Sequence, residues 1–160
     1  MTRPQVINAV GFQLCWFACV VGGSAVALPA VSIFLLWHLR QSQKNEWWLI
    51  GLLSVGGILL DSAWLNIGLI TFADLTLPVI PLWLALLWCA FSATLLHSLR
   101  WLTARPALLA LAAAVSAPIS YFAGSRLGAL EISESGYVVI AISWALLMFI
   151  AATVWKKVTL

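Results

Sequence analysis

The sequence predicts an all-α polytopic membrane protein: a compact bundle of six transmembrane helices forming one domain over residues 1–160, with both termini cytoplasmic. Three observations predict it. Hydrophobic residues make up 64% of the chain and charged ones only 8%, whereas a soluble domain carries about a quarter charged residues to solvate its surface. The apolar residues run in stretches of membrane-helix length, and at ~20 residues per span the 160 residues hold about six with short links. The basic residues stand between those stretches and fall on alternate links.

The spans follow in order. The first, about 5–22, begins after Arg3 and ends at Gly22-Gly23-Ser24. The second, about 24–39, stops before Arg40 and Lys44. The third, about 47–70, opens on Trp47-Trp48 and precedes Asp74. The fourth and fifth, about 82–102 and 106–125, are joined across Arg100 and Arg105. Arg126, Glu131 and Glu134 lead to the sixth, about 137–155, which Lys156 and Lys157 follow. None of these stretches alternates apolar and polar residues as a lipid-facing barrel strand does. Helices also satisfy every backbone hydrogen bond internally, as dry hydrocarbon demands.

Orientation comes from the links. Seven of the eight basic residues lie on one side, Arg126 being the exception, and that excess marks the cytoplasmic face. Trp37, Trp47, Trp48, Trp101 and Trp155 suit that interface, and Trp83, Tyr121 and Tyr137 the other. Trp16, Trp64, Trp88 and Trp144 fall deeper, where packing between helices is the expectation.

Several alternatives lose force. A net charge of +3 does not indicate nucleic acid, because the basic residues punctuate apolar runs rather than share a soluble face. Arg3, the run Val6–Val21 and Ala25-Val26-Ala27 imitate a signal peptide, but Asn8 and Gln13 interrupt its apolar core, so a retained span is expected. Cys15, Cys19 and Cys89 sit inside apolar runs and read as buried free thiols. No zinc ligand set accompanies them, and no metal or cofactor site is expected. H-E-x-x-H, G-x-S-x-G and glycine-rich phosphate loops are missing from the sequence.

Two stretches, PLWLALLWCAFSATLLHSLRWL at 81–102 and SAPISYFAGSRLGAL at 116–130, stand beside NAVGFQLCWFACVVGG at 8–23 and GGILLDSAWLNIGL at 56–69. Together they resemble a family of small bacterial inner-membrane proteins described only as a domain of unknown function. The resemblance covers nearly the whole chain. It implies the inner membrane as location and six spans, and no activity. It also implies a lipid connection, through genes lying near those of fatty-acid-modifying enzymes.

Asp61 is the polar residue that most needs explaining. It lies ~21 Å along the third span from Trp47, and a charge at the bilayer centre costs ~2.5–3.5 kcal/mol on insertion scales. Arg126 is the only basic residue on that side. The expectation is an Asp61–Arg126 pair joining spans three and five, with Tyr121 or Asn66 completing the hydrogen bonds. Ser54, Gly57, Asp61, Leu65 and Gly68 share one helical face. Ala112, Ser116, Ser120, Gly124 and Gly128 form a small-residue stripe that admits a close neighbour. Gln13 falls at mid-depth, Asn8 and His97 nearer the basic side, and His38 at the end of span two.

Three functions compete. An accessory or scaffold protein packing with a membrane partner, or with further copies of itself, ranks first. A carrier or binding protein for a lipid-like or small solute, using Asp61 and Arg126 near the outer leaflet, ranks second. A membrane-embedded lipid-modifying enzyme ranks last, since its acid and base groups are scattered in depth. A substrate-sized cavity open to the outer leaflet, with Asp61 facing it, would favour the carrier, and a dry, tightly filled interior with a flat exposed small-residue face the scaffold.

Overall fold

A computed structural model describes residues 2–42, 46–73 and 75–159. Lys44 and Asp74, invoked above for the links, lie outside the described residues. Six helices dominate: α1 Arg3–Leu39, α2 Trp47–Asn66, α3 Leu82–Leu95, α4 Arg100–Thr103, α5 Pro106–Arg126 and α6 Gly136–Thr159. Four of them, α1, α2, α5 and α6, are long and apolar enough to cross a membrane. Their outward faces carry exposed Leu14, Val21, Ile33, Leu59, Leu111 and Ile119, the surface that lipid tolerates and water does not.

α1 is a hairpin of two helical arms. Gly23 has φ 59° and ψ −163°, a backbone region open in practice only to glycine, and it interrupts the helix. A straight helix would hold Asn8 and His38 about 45 Å apart. Here their side chains meet at 3.5 Å, so arms 3–22 and 24–39 run antiparallel. Cys15 Sγ reaches the Ala30 carbonyl at 3.7 Å, and Gly11 faces the Phe34 ring. The expected turn at Gly22-Gly23 is therefore present, without any loop.

α1 packs chiefly against α3, α2 also against α3, and α5 against α6. α3 thus lies between α1 and α2. The α2–α3 contact is close because Gly57 has no side chain: a Cβ there would strike the Trp88 indole. Ser54 Oγ reaches Ser92 Oγ at 3.2 Å one turn further along the same seam.

Two boundaries differ from expectation. The fourth apolar stretch is not one span over 82–102: α3 ends at Leu95, a turn follows, and α4 supplies a single further turn of helix. Polar side chains here engage other groups, Thr94 Oγ1 bonding the Ala90 carbonyl and Ser98 Oγ donating to Asn8 Oδ1 at 2.8 Å. Such side-chain bonds compete with a regular helical ladder.

The third stretch stops at Asn66 rather than residue 70. α2 and α5 end alike, Gly68 (φ 73°) bonding Leu65 O and Leu69 bonding Trp64 O, while Gly128 (φ 79°) bonds Ser125 O and Ala129 bonds Gly124 O. Each is a complete Schellman ending, which turns the chain sharply and satisfies the last carbonyls. The two exits then pair as an antiparallel ladder, β1 Ile70–Thr71 with β2 Glu131–Ile132. Nothing in the apolar patterning predicted this ladder.

The helix faces are also corrected. On α5 the buried residues are Leu109, Ala113, Ala117, Tyr121 and Gly124; Ala113, Ala117 and Tyr121 lie one position beyond members of the anticipated stripe, of which Gly124 alone is buried. Ser116 and Gly128 are exposed. α5 turns its buried face chiefly to α6, not to α2.

Candidate functional site

Asp61 projects from the middle of the buried face of α2, together with Ser54 and Gly57. It is completely buried. Trp88 Nε1 on α3 donates to Asp61 Oδ2 at 2.8 Å, and the Tyr121 hydroxyl on α5 donates to both carboxylate oxygens at 2.7 Å. Three helices therefore meet at one carboxylate.

The Asp61–Arg126 pair anticipated from sequence is absent among the described residues, and Arg126 is exposed. The reason is helical phase. Arg126 follows Tyr121 by five residues, a rotation of roughly 140° from the face that carries the hydroxyl. Depth alone suggested the pair, and azimuth separates it. Tyr121, expected at an interface, lies inside the bundle, its ring edge-on to Trp64 at 6.0 Å.

Asn66 does not complete the carboxylate's bonds either. Its amide donates to the Ser62 carbonyl at 2.6 Å and the Pro78 carbonyl at 2.8 Å. Ser62 Oγ accepts from the Ile80 amide at 3.2 Å. These two side chains fasten the returning loop to the end of α2.

Trp88 and Tyr121 also line a cavity of about 540 Å³, within the range of roughly 300–1,000 Å³ usual for small-molecule sites. Its wall is aromatic. Trp88 and Trp144 stack at 4.6 Å with 19° between planes, and Phe91 meets Trp144 edge-on at 5.0 Å. Trp16 on α1 donates to Ser120 Oγ on α5 at 2.9 Å, tying the two helices together at the rim. Trp144 Nε1 is buried and lies near the Tyr121 hydroxyl without reaching hydrogen-bond geometry. Phe12, Phe17, Leu84, Leu87 and Ile119 complete most of the apolar lining, and Gln13 and Ser116 add polar points. No Lys or Arg lines it.

A family model described as "Protein of unknown function (DUF2878)" matches residues 5–150. The chain belongs to that family. No curated protein and no solved structure matches it.

This DUF2878 member holds a second polar cluster near the start of α1. Asn8 and His38 are both fully buried; Asn8 accepts from Ser98 Oγ and its amide faces His38 Nδ1. The His38 and His97 rings meet edge-to-face at 5.5 Å, and the Nε2 atom of each is buried without a hydrogen-bond partner. Gln5 Nε2 donates to the His97 carbonyl at 3.4 Å. Asn8 and His97, secondary candidates by sequence, thus share one neighbourhood, while Gln13 belongs to the cavity. Among the described residues no three His, Cys, Asp or Glu side chains are grouped as a metal site. Cys15 and Cys19 are buried free thiols.

Sequence reasoning missed Trp88 as the partner of Asp61. A signal was present: Gly57, one turn before Asp61 on the same face, leaves a notch in which only a flat, bulky side chain from a neighbouring helix fits.

Proposed function

We propose that this protein binds a lipid-like ligand within the bilayer, in the aromatic cavity between α1, α3, α5 and α6. In this reading the chain crosses the bacterial inner membrane six times, the two arms of α1 counting separately and α3 with α4 making one passage. Its termini are cytoplasmic. The orientation draws support from the seven of eight basic residues that fall on one side in the sequence.

The observation that carries the proposal is the cavity itself. Its size and its mostly aromatic and apolar lining suit a small apolar guest. Here aromatic rings surround an opening at mid-helix height, flanked by exposed Phe17 and Ile119, while the Asp61 carboxylate lies behind Trp88 and Tyr121 and does not line it. The apolar lining selects an apolar guest. Acid and base groups do not converge there, since His97 sits with Asn8 and His38 while Asp61 is held by Trp88 and Tyr121. Binding is therefore favoured over catalysis, and over the scaffold role that ranked first by sequence.

Native mass spectrometry of the detergent-released protein tests this. One lipid-mass adduct per chain is expected on the wild type. It should be lost in Ala123→Phe, which intrudes on the cavity from a half-buried position. A wild type free of adduct that also takes up no added lipid would refute the reading.

A further inference from the structure

We infer that the cavity's ligand is uncharged and carries oxygen, as an alcohol, ketone or ester, on its otherwise apolar body. This rests on the binding reading above and names the chemistry of that site. Two side chains carry the inference. Gln13 on α1 and Ser116 on α5 both line the cavity, and both are exposed. Among the described residues neither side chain has a hydrogen-bond partner.

Their depth makes this costly. Gln13 lies ten residues beyond Arg3 and Ser116 ten beyond Pro106, so each sits ~15 Å from the start of its helix. The hydrocarbon layer is ~30 Å thick. Both groups therefore reach the dry middle of the bilayer, where water cannot serve them and an unpaired polar group is expensive. An amide and a hydroxyl, each able to donate and accept, open on one apolar cavity. A guest that brings an oxygen to this height satisfies them.

Charge narrows the class. No cation lines the cavity, and the carboxylate of Asp61 stands directly behind Trp88 and Tyr121. An anionic head would lose its hydration and find no compensating cation in the lining. A phospholipid head also belongs at the bilayer surface, about half a membrane thickness from Gln13. Neutral oxygenated lipids, whose polar group enters hydrocarbon readily, fit both the depth and the charge.

The test uses the full chain in detergent, with tryptophan fluorescence reporting on Trp16, Trp88 and Trp144 in the wall. Hexadecanol, hexadecane and hexadecanoate are titrated in turn. The wild type should bind the alcohol about tenfold more tightly than the alkane or the carboxylate. Gln13→Leu, an apolar change at a lipid-exposed position, should remove most of that preference. Equal binding of alcohol and alkane, or preference for the carboxylate, overturns the inference while leaving a binding cavity in place. Failure of all three to bind overturns the cavity reading as well. A wild-type oligomer that Gln13→Leu dissociates, with alcohol preference intact, assigns Gln13 to a helix interface and also overturns it.

Discussion

Trp88 Nε1 donates to Asp61 Oδ2 at 2.8 Å, so an indole rather than a basic side chain answers the bundle's buried carboxylate. With the Tyr121 hydroxyl on the same group, α2, α3 and α5 converge on one acceptor. The arrangement needs no counter-charge from Arg126.

Removing that acceptor should be expensive. Asp61→Leu strands the Trp88 N–H and the Tyr121 O–H in the interior, at about 1–3 kcal/mol for each orphaned donor. Asp61→Asn keeps a carbonyl for one of them and should cost about 1 kcal/mol. Thermal melting in detergent should rank wild type above Asn and Asn above Leu. A Leu variant as stable as wild type would mean that these bonds contribute nothing.

Arg126→Leu should leave the melting temperature nearly unchanged, within about 0.5 kcal/mol, as surface substitutions usually do. The guanidinium is exposed and makes no ion pair with Asp61. The pairing read from sequence predicts the opposite, a large loss from an orphaned carboxylate. One melting curve separates the two.

Gly57→Ala places a methyl group against the Trp88 ring. Overpacking of this kind costs about 1–3 kcal/mol. Because Trp88 must shift, its hydrogen bond to Asp61 and its stacking on Trp144 should loosen together. A red-shifted tryptophan emission would accompany the lower melting temperature.

Gly23→Ala should destabilise by about 1–3 kcal/mol, because alanine resists the backbone conformation at the hairpin turn. Gly51→Ala, in α2 with open space around it, is the control. It should be neutral or slightly stabilising. If both substitutions melt alike, the turn is not strained.

The fold was legible where it depends on hydrophobic run length and on punctuation. The turn at Gly22-Gly23, the start of α5 at Pro106 and the start of α6 at Gly136 follow from such signals, whereas α6 runs on to Thr159, past the expected end near residue 155. The breaks at Leu95 and Asn66 did not show, because the residues beyond them stay apolar while side-chain bonds from Ser98 and Asn66 redirect the chain. At the site, the sequence singled out Asp61 and Tyr121 correctly as neighbours. It chose the wrong third member because charge drew attention to Arg126, whereas Trp88 looked like one more apolar residue. Asn8, His38 and His97 were separate curiosities in the sequence, and Ser98 drew no notice. The hairpin at Gly23 and the turn after Leu95 bring them together, and long-range closure of that kind leaves no periodic trace.

The mouth of the cavity lies on the flank of the bundle, between mid-helix residues such as Phe17 and Ile119. Under the proposed binding role, guests would arrive by diffusing sideways among acyl chains, without crossing an aqueous phase. Occupancy would then follow the guest's mole fraction in the bilayer, so membrane composition itself would set how full the site is.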